Sequence, residues 1–175
     1  MNRVLLPILA TLLLMGCQAE HGPALDIWTA AASGDIEILQ QHITSGTDLN
    51  AKDPAGGSSP LVVAALLGQT EAAQFLIDHG ANLESTNNDG STALHVAAFF
   101  CHPEMVALLL ANGADTEVKN GFGHTPLETV SGDWTPEVED TYNMIAGAWQ
   151  LELDLKRIEE VRPQVAALIR QHAER

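Results

Sequence analysis

The sequence predicts an all-α solenoid of stacked helix pairs, and three observations lead to this fold class. Similar tetrapeptides occupy residues 58–61, 91–94 and 124–127, so the motif recurs every 33 residues. Turn-forming residues recur at the same interval, and the segments between them carry apolar residues at helical spacing. A fixed period of this length is typical of repeat proteins, in which each unit stacks on its neighbours because it cannot bury its apolar face alone.

The first 16 residues have the composition of a signal peptide. A short basic start is followed by an apolar run over residues 4–15, which is shorter than the ~20 residues of a membrane span. Residues 14–17 (Leu-Met-Gly-Cys) resemble the lipobox of bacterial lipoproteins, and this resemblance implies that Cys17 becomes the lipidated first residue. Ordinary secretion with a chance cysteine is the alternative.

The lipobox resemblance also predicts where the protein resides. We expect residues 1–16 to be removed and residues 17–23 to form a lipidated tether. Acyl chains would hold the protein at a membrane, on the periplasmic side of a bacterial cell envelope. By resemblance to enterobacterial sorting rules, Gln18 in place of aspartate favours the outer membrane.

Four repeat units follow, at residues 24–57, 58–90, 91–123 and 124–175. A serine or threonine caps the first helix of a unit, and a following proline lacks only an N–H that would have no partner there. Leu61, Leu94 and Leu127 then point into the stack, and the Ala-Ala pairs of the middle units let neighbouring helices approach closely. Gly80 and Gly113 fall where the second helix must end.

These positions resemble the ankyrin repeat family. Residues 92–98 (Thr-Ala-Leu-His-Val-Ala-Ala) are similar to the family's TPLHxAA motif, and residues 113–115 (Gly-Ala-Asp) are similar to its GAD turn. The resemblance implies helix-turn-helix units joined by hairpin tips, with His95 hydrogen-bonded to the hairpin backbone. The first unit departs from the motif over residues 26–31 and carries one extra residue at its glycine-rich tip.

The first and last units are predicted to cap the array, and the last is longer than one repeat. Pro136 opens a helix that is predicted to continue over residues 137–160. A second helix is expected over residues 162–172, with Pro163 at its start. Residues 136–157 are therefore interpreted as a helical insertion within an extended C-terminal cap.

The charge of the chain is strongly negative, at −15. Between residues 24 and 150 there are 17 acidic residues, against Lys52 and Lys119 alone. Nucleic acid is excluded as an expected partner because binding it needs a basic surface. The acidic repeats would instead attract a basic protein, although generic solubility explains the same composition.

The resemblance implies that a partner binds the hairpin tips and the inner helix face. The apolar pairs that follow the two Ala-Ala motifs stand where many such repeats are polar, so they could form an exposed apolar patch with the third tip. The candidate partner-binding residues are Leu66, Leu67, Asp89, Phe99, Phe100 and Phe122. In the alternative interpretation, the long C-terminal helix or a variant curvature of the array buries these side chains.

No pattern in the sequence predicts catalysis, a cofactor or a metal site. The seven histidines are scattered without ligand spacing, and neither a nucleophile elbow nor a phosphate loop is present. Cys101 remains unpaired once Cys17 is lipidated, and is either a reactive thiol or a small apolar residue at a turn. The insertion around Trp134 and Trp149 is the one place where an unanticipated pocket could arise.

The sequence therefore favours a lipid-anchored periplasmic module, expected to be a monomer, that binds a protein partner with a basic surface. A sharper version is an immunity protein that neutralises a toxin delivered to the periplasm. The alternatives are small-ligand binding or catalysis at the C-terminal insertion, and a purely structural envelope protein.

Overall fold

Nine α-helices make up the regular structure of residues 23–174, the part of the chain that the computed structural model describes. Their bounds are α1 Ile27–Ser33, α2 Ile36–Thr44, α3 Pro60–Leu66, α4 Thr70–Asp78, α5 Ala93–Phe99, α6 Pro103–Ala111, α7 Pro126–Val130, α8 Pro136–Trp149 and α9 Leu155–Ala173. The predicted all-α solenoid is confirmed. The predicted signal peptide and Cys17 lie outside the described residues.

The helices stack in two layers. The first helices of successive units, α1, α3, α5 and α7, pack side by side, and the second helices, α2, α4, α6 and α9, form the other layer. α9 therefore takes the place of the second helix in the fourth unit, and α8 is inserted between the two helices of that unit.

Polar side chains fix where the first helices begin. Asp26, Ser59 and Thr125 each accept a hydrogen bond from the backbone N–H three residues further on, which would otherwise lack a partner. Proline follows two of these caps directly, as predicted. In α3 and α7 the repeated tetrapeptide thus sets the start of the helix through its cap, and Asp26 takes the same role in α1.

The turn between the two helices of a unit needs left-handed backbone. Gly34 and Gly68 supply it in the first two units, with φ of 73° and 67°. In the third unit Cys101 takes this position with φ of 55° and is fully buried. Its burial and its left-handed φ agree with the interpretation of Cys101 as a small apolar residue at a turn. Burial also raises the pKa of its thiol to about 11.

Hairpin tips connect the units, and backbone hydrogen bonds join neighbouring tips. Asn88 N donates to Gly56 O at 2.9 Å, and Gly121 N donates to Asp89 O at 2.7 Å. These two bonds lie 33 residues apart at equivalent positions of successive tips. Gly56, in the tip with the extra residue, therefore takes part in this regular edge.

The core is one continuous cluster in which alanine and leucine are the commonest residues. Leu61 and Leu94 are buried as predicted, and the alanines that follow them are fully buried. Leu127 is only partly buried because α7 is short and lies at the end of its layer. No helix within residues 23–174 is long and apolar enough to cross a bilayer.

The single helix predicted over residues 137–160 is wrong. α8 begins at Pro136 as expected but ends at Gln150, whose left-handed φ of 54° stops the helix. Residues 151–154 are irregular, and α9 then runs through Pro163 rather than starting there. A proline inside a helix costs about 3 kcal/mol, which the buried stripe of Ile158, Val165 and Ile169 on the same helix offsets.

Candidate binding groove

A groove of about 580 Å³ lies between the hairpin tips and the inserted helix α8. Its walls are largely apolar, with polar groups concentrated on the tip side. The lining residues are Asn87, Asp89, Ser91, His95, Val96, Phe99, Phe100, Asn120, Phe122, His124, Glu128, Thr129, Ser131, Val138, Thr141, Tyr142, Met144, Ile145, Trp149 and Arg162. This volume is within the ~300–1,000 Å³ of typical ligand sites.

One wall is built by the tips of the second and third units. Asn87 and Asn120 hold these tips through side-chain oxygens that accept two backbone N–H groups each. Phe122 at the third tip is 70% exposed, and Asp89 at the second tip is exposed as well. The tips thus present an aromatic ring and a carboxylate on rigid turns.

The opposite wall is the face of α8 that carries Val138, Tyr142, Ile145 and Trp149. These residues are spaced by three or four positions, so they lie on one side of the helix. Trp149 is 46% exposed and Met144 is 67% exposed. Tyr142 is the one residue of α8 that is fully buried. Val138 and Ile145 are partly buried against the core, so the most open apolar groups of this wall are Met144 and Trp149.

Tyr142 anchors α8 to the repeats. Its ring stacks on Phe99 with centroids 4.4 Å apart and on Trp134 at 5.4 Å. Its hydroxyl donates to Phe99 O at 2.6 Å and accepts from Arg162 Nη1 at 3.1 Å. Burial raises the pKa of this phenol to about 12, so it remains a neutral donor.

His95 fixes the boundary between the third unit and the fourth. Its Nε2 donates to His124 O at 3.0 Å, and its Nδ1 accepts from Thr92 N at 3.2 Å. Burial lowers the pKa of His95, although the His124 carbonyl opposes this shift. The predicted hydrogen bond to the hairpin backbone is confirmed.

Arg162 is a buried cation at the base of the groove. The side chain is 5% exposed and donates to Tyr142 Oη at 3.1 Å and to Ser131 O at 3.3 Å. Its guanidinium carbon lies 5.8 Å from the centre of the Trp134 ring. Its buried Nε has no hydrogen-bond acceptor among the described residues.

The groove carries acidic groups on its outer parts. Asp89 and Glu128 are exposed lining residues. Hydrogen bonds from Thr125, chiefly from its backbone N–H, lower the pKa of Glu128. The groove therefore combines an apolar interior, an acidic edge and one buried cation.

The structure separates the predicted partner-binding residues into two places. Asp89, Phe99 and Phe122 line the groove, whereas Leu66 and Leu67 line a second cleft of about 280 Å³ beneath residues 151–154. The expectation of one contiguous exposed apolar patch formed by both pairs is therefore wrong.

Phe100 is 5% exposed, so it is not part of an exposed surface. The reason is the C-terminal cap. Arg157 donates from Nη1 to Cys101 O and from Nη2 to Phe100 O, and it thereby caps the end of α5 and holds the cap over this ring.

The sequence predicts a helix from Pro136 and a possible pocket at Trp149, but it does not assign the α8 face to a binding site. The 33-residue pattern includes none of Tyr142, Met144, Ile145 and Trp149. However, Val138, Tyr142, Ile145 and Trp149 follow one another at intervals of four, three and four residues, which is a detectable helical stripe. From the sequence, a possible pocket is expected at the insertion, near Trp134 and Trp149. Trp149 lines the groove, and Trp134 stacks on the ring of Tyr142.

Metal binding finds no support in the described part of the chain. Residues 23–174 contain no group of three or more His, Cys, Asp or Glu side chains that could hold an ion.

Comparisons with known proteins point to one family. The profile described as "Ankyrin repeats (3 copies)" matches residues 27–120, which is more than half of the 175-residue chain. Three curated proteins match shorter stretches. The first is protein phosphatase 1 regulatory subunit 12A of Mus musculus, with 41% identity over 69 residues, 39% of this chain and 6% of that protein.

The second is protein phosphatase 1 regulatory subunit 27 of Homo sapiens, with 36% identity over 61 residues, 35% of this chain and 39% of that protein. The third is DNA-binding protein RFXANK of Homo sapiens, with 34% identity over 59 residues, 34% of this chain and 23% of that protein. The match thus spans well under half the length of each relative.

Proposed function

Since this chain belongs to the ankyrin repeat family, we propose that it is a protein-binding module whose partner occupies the groove between the hairpin tips and α8. The observation that carries the proposal is the open apolar interior of the groove, in which Phe122, Met144 and Trp149 are largely exposed. Aromatic residues and methionine are enriched at protein interfaces, and exposed apolar patches mark them.

The negative charge at the edge of the groove favours a partner with a basic surface. Asp89 and Glu128 flank the apolar interior, and the acidic residues of the repeats far outnumber their two lysines. Complementary charge speeds association and selects the partner. The affinity should fall as ionic strength rises; an affinity that does not change between low and high salt would contradict a basic partner.

The names of two matched relatives describe regulatory subunits of an enzyme. Because the match covers only part of each protein, these names support protein binding as the role and leave the partner open.

A toxin-neutralising immunity protein is a sharper form of the same proposal, favoured by the acidic edge of the groove. Small-ligand binding is the second candidate, favoured by a groove volume of about 580 Å³.

We also propose that the module is tethered to the periplasmic side of a bacterial envelope, in the outer membrane, by a lipid on Cys17. The support is the lipobox-like sequence of residues 14–17. Metabolic labelling with palmitate tests this. Label should enter the wild-type chain and the membrane fraction, and should be absent from Cys17→Ser; equal labelling of both chains would contradict the anchor.

Affinity capture tests the binding role. The full chain with Cys17→Ser, immobilised through its C-terminus, should retain one stoichiometric protein from an extract of the source organism. A chain that also carries Phe122→Ser and Trp149→Ser should lose it. Leu25→Ser is the matched control, since Leu25 is 41% exposed and lies outside the groove. Retention by the groove variant would refute the proposed site.

A further inference from the structure

Arg162 is the residue of the groove that the repeat fold does not account for. It is 95% buried in the base of a cavity whose interior is apolar or neutral and whose acidic residues, Asp89 and Glu128, are exposed at the edge. In residues 23–174 the only ion pair joins Lys156 to Glu160, so Arg162 contacts no carboxylate. This is unusual in a chain with 23 acidic residues and eight lysines and arginines, because buried charges are normally paired.

Two neutral oxygens satisfy only part of this guanidinium. The group has five N–H donors, and its acceptors are the Tyr142 hydroxyl and the Ser131 carbonyl. Nε is buried without an acceptor. Arg157 on the same helix also donates to two backbone oxygens, but it is exposed and can bind water with its other N–H groups. Hydrogen bonds to backbone carbonyls therefore account for the position of Arg157, but they leave part of the buried Arg162 guanidinium without an acceptor.

The chemistry of this site favours a carboxylate. Guanidinium groups bind carboxylates through paired, charge-assisted hydrogen bonds that are stronger than bonds between neutral groups. A ligand carboxylate would also neutralise a charge that is unfavourable to bury without a counterion. The aromatic and aliphatic walls around Arg162 provide contacts for an apolar group attached to that carboxylate.

The acidic edge of the groove favours a carboxylate at the end of a polypeptide over a small free acid. A small free anion would be repelled by Asp89, Glu128 and a net charge of −15. A polypeptide end overcomes this repulsion when lysine or arginine side chains precede its last apolar residues. The cation at the base and the acids at the edge then each meet an opposite charge.

We propose that the groove captures the carboxyl terminus of its partner, with the terminal carboxylate on Arg162, the last apolar side chains between Phe122 and Trp149, and upstream basic residues at the acidic edge. This inference rests on the proposed binding function and specifies which part of the partner enters the groove.

The test compares free and amidated peptide ends. The probe is an equimolar pool of N-acetylated hexapeptides with two lysines at the start and Leu, Ile, Val or Phe at the last two positions. The pool is made as free acids and as terminal amides, and is titrated into the full chain carrying Cys17→Ser. The acids should bind about tenfold more tightly than the amides, because only they offer a carboxylate to Arg162.

Matched variants locate the effect. Arg162→Gln should bring the ratio of acid to amide affinities close to one. Lys156→Gln removes the same charge from an exposed position of α9 that does not line the groove, and it should leave the ratio unchanged. Phe122→Ala should weaken both pools equally. Far-ultraviolet circular dichroism checks the fold of each variant; if Arg162→Gln fails to fold, the ratio measured on the unsubstituted groove still decides.

Three outcomes would overturn the inference. Equal binding of acids and amides excludes a carboxylate site at Arg162. If Phe122→Ala still weakens the binding of both pools in that case, the groove remains the binding site although it does not recognise a carboxylate. Absence of binding by both pools also refutes the capture of a carboxyl terminus. The proposed binding function is then decided by the separate affinity-capture experiment. Displacement of the acids by phenylpropionate at equal concentration would show that a free small acid is the ligand.

Discussion

Cys101 shows how one residue can depart from a repeat without breaking it. It holds the left-handed turn that Gly34 and Gly68 provide in the preceding units. Left-handed backbone costs a non-glycine residue about 1–2 kcal/mol. Complete burial of the small side chain among the helices offsets part of this cost.

The Cys101 thiol should be unreactive in the folded protein. Its pKa of about 11 and its burial leave almost no accessible thiolate at pH 8. With Cys17→Ser, Ellman's reagent should detect no thiol in native buffer and one thiol per chain in denaturant. Rapid reaction of the native protein would show that Cys101 is exposed by an opening motion.

The buried histidines should make stability depend on pH. Burial lowers the pKa of His95 and of His102 below the ordinary 6.5. The unfolded chain therefore binds protons at these sites before the folded chain does, so the free energy of unfolding is highest above pH 6.5 and falls as the pH is lowered through and below it.

Urea denaturation at several pH values between 7.5 and 5.5 measures this dependence. The slope should be shallower in a chain carrying His95→Gln and His102→Gln, whatever the stability of that variant at pH 7.5. His79 is exposed, so His79→Gln is the matched control and should keep the slope. An unchanged slope in the double variant would contradict the assignment to these two histidines.

Tyr142 joins the inserted helix to the repeats through one hydroxyl. Tyr142→Phe keeps the aromatic stack but leaves the Phe99 carbonyl and one Arg162 N–H without this partner. We expect a loss of about 1–3 kcal/mol in the free energy of unfolding, measured with urea. Asn143→Ala, at the exposed neighbouring position, should change it by less than about 0.5 kcal/mol; equal effects would rule out the anchoring role of the hydroxyl.

At the scale of elements, the 33-residue period predicted the helices that begin at the repeated tetrapeptide, which are α3, α5 and α7. The caps at Ser59 and Thr125 and the alanine pairs are local signals with a direct physical meaning. The break at Gln150 was not predictable, because glutamine has no preference for left-handed backbone. It follows from tertiary contacts, in which Arg157 and Tyr142 hold the two helices of the cap against α5.

The hairpin tips should differ in their tolerance of a side chain. A Cβ at Gly90 would lie 2.9 Å from the backbone N of Gly121, in addition to the cost of its φ of 70°. The equivalent Gly123 has a φ of 80° but no heavy atom within 4 Å.

Gly90→Ala should therefore destabilise the protein by more than the roughly 1–2 kcal/mol of left-handed strain expected for Gly123→Ala. Thermal and urea unfolding of the two variants give the comparison. A Gly123→Ala variant as unstable as Gly90→Ala would show that contact between the tips contributes nothing.

At the scale of the molecule, the groove belongs to neither the repeats nor the insertion alone. Sequence reasoning placed Asp89, Phe99 and Phe122 on a binding surface because the ankyrin motif assigns tip and inner positions. It expected a helix and a possible pocket at the insertion, but it did not predict that α8 faces the hairpin tips or that Arg162 is buried there, since both depend on how the insertion folds back over the repeats. Burial of Phe100 has the same origin.

The affinity of the captured partner for paired surface variants tests the central claim most directly. In isothermal titration calorimetry, Phe122→Ala with Trp149→Ala should weaken binding at least tenfold, since an interface anchor contributes more than ~1.4 kcal/mol. Leu25→Ala should bind as the wild type does. Unchanged affinity of the groove variant, or equal weakening by Leu25→Ala, would contradict a partner site in the groove.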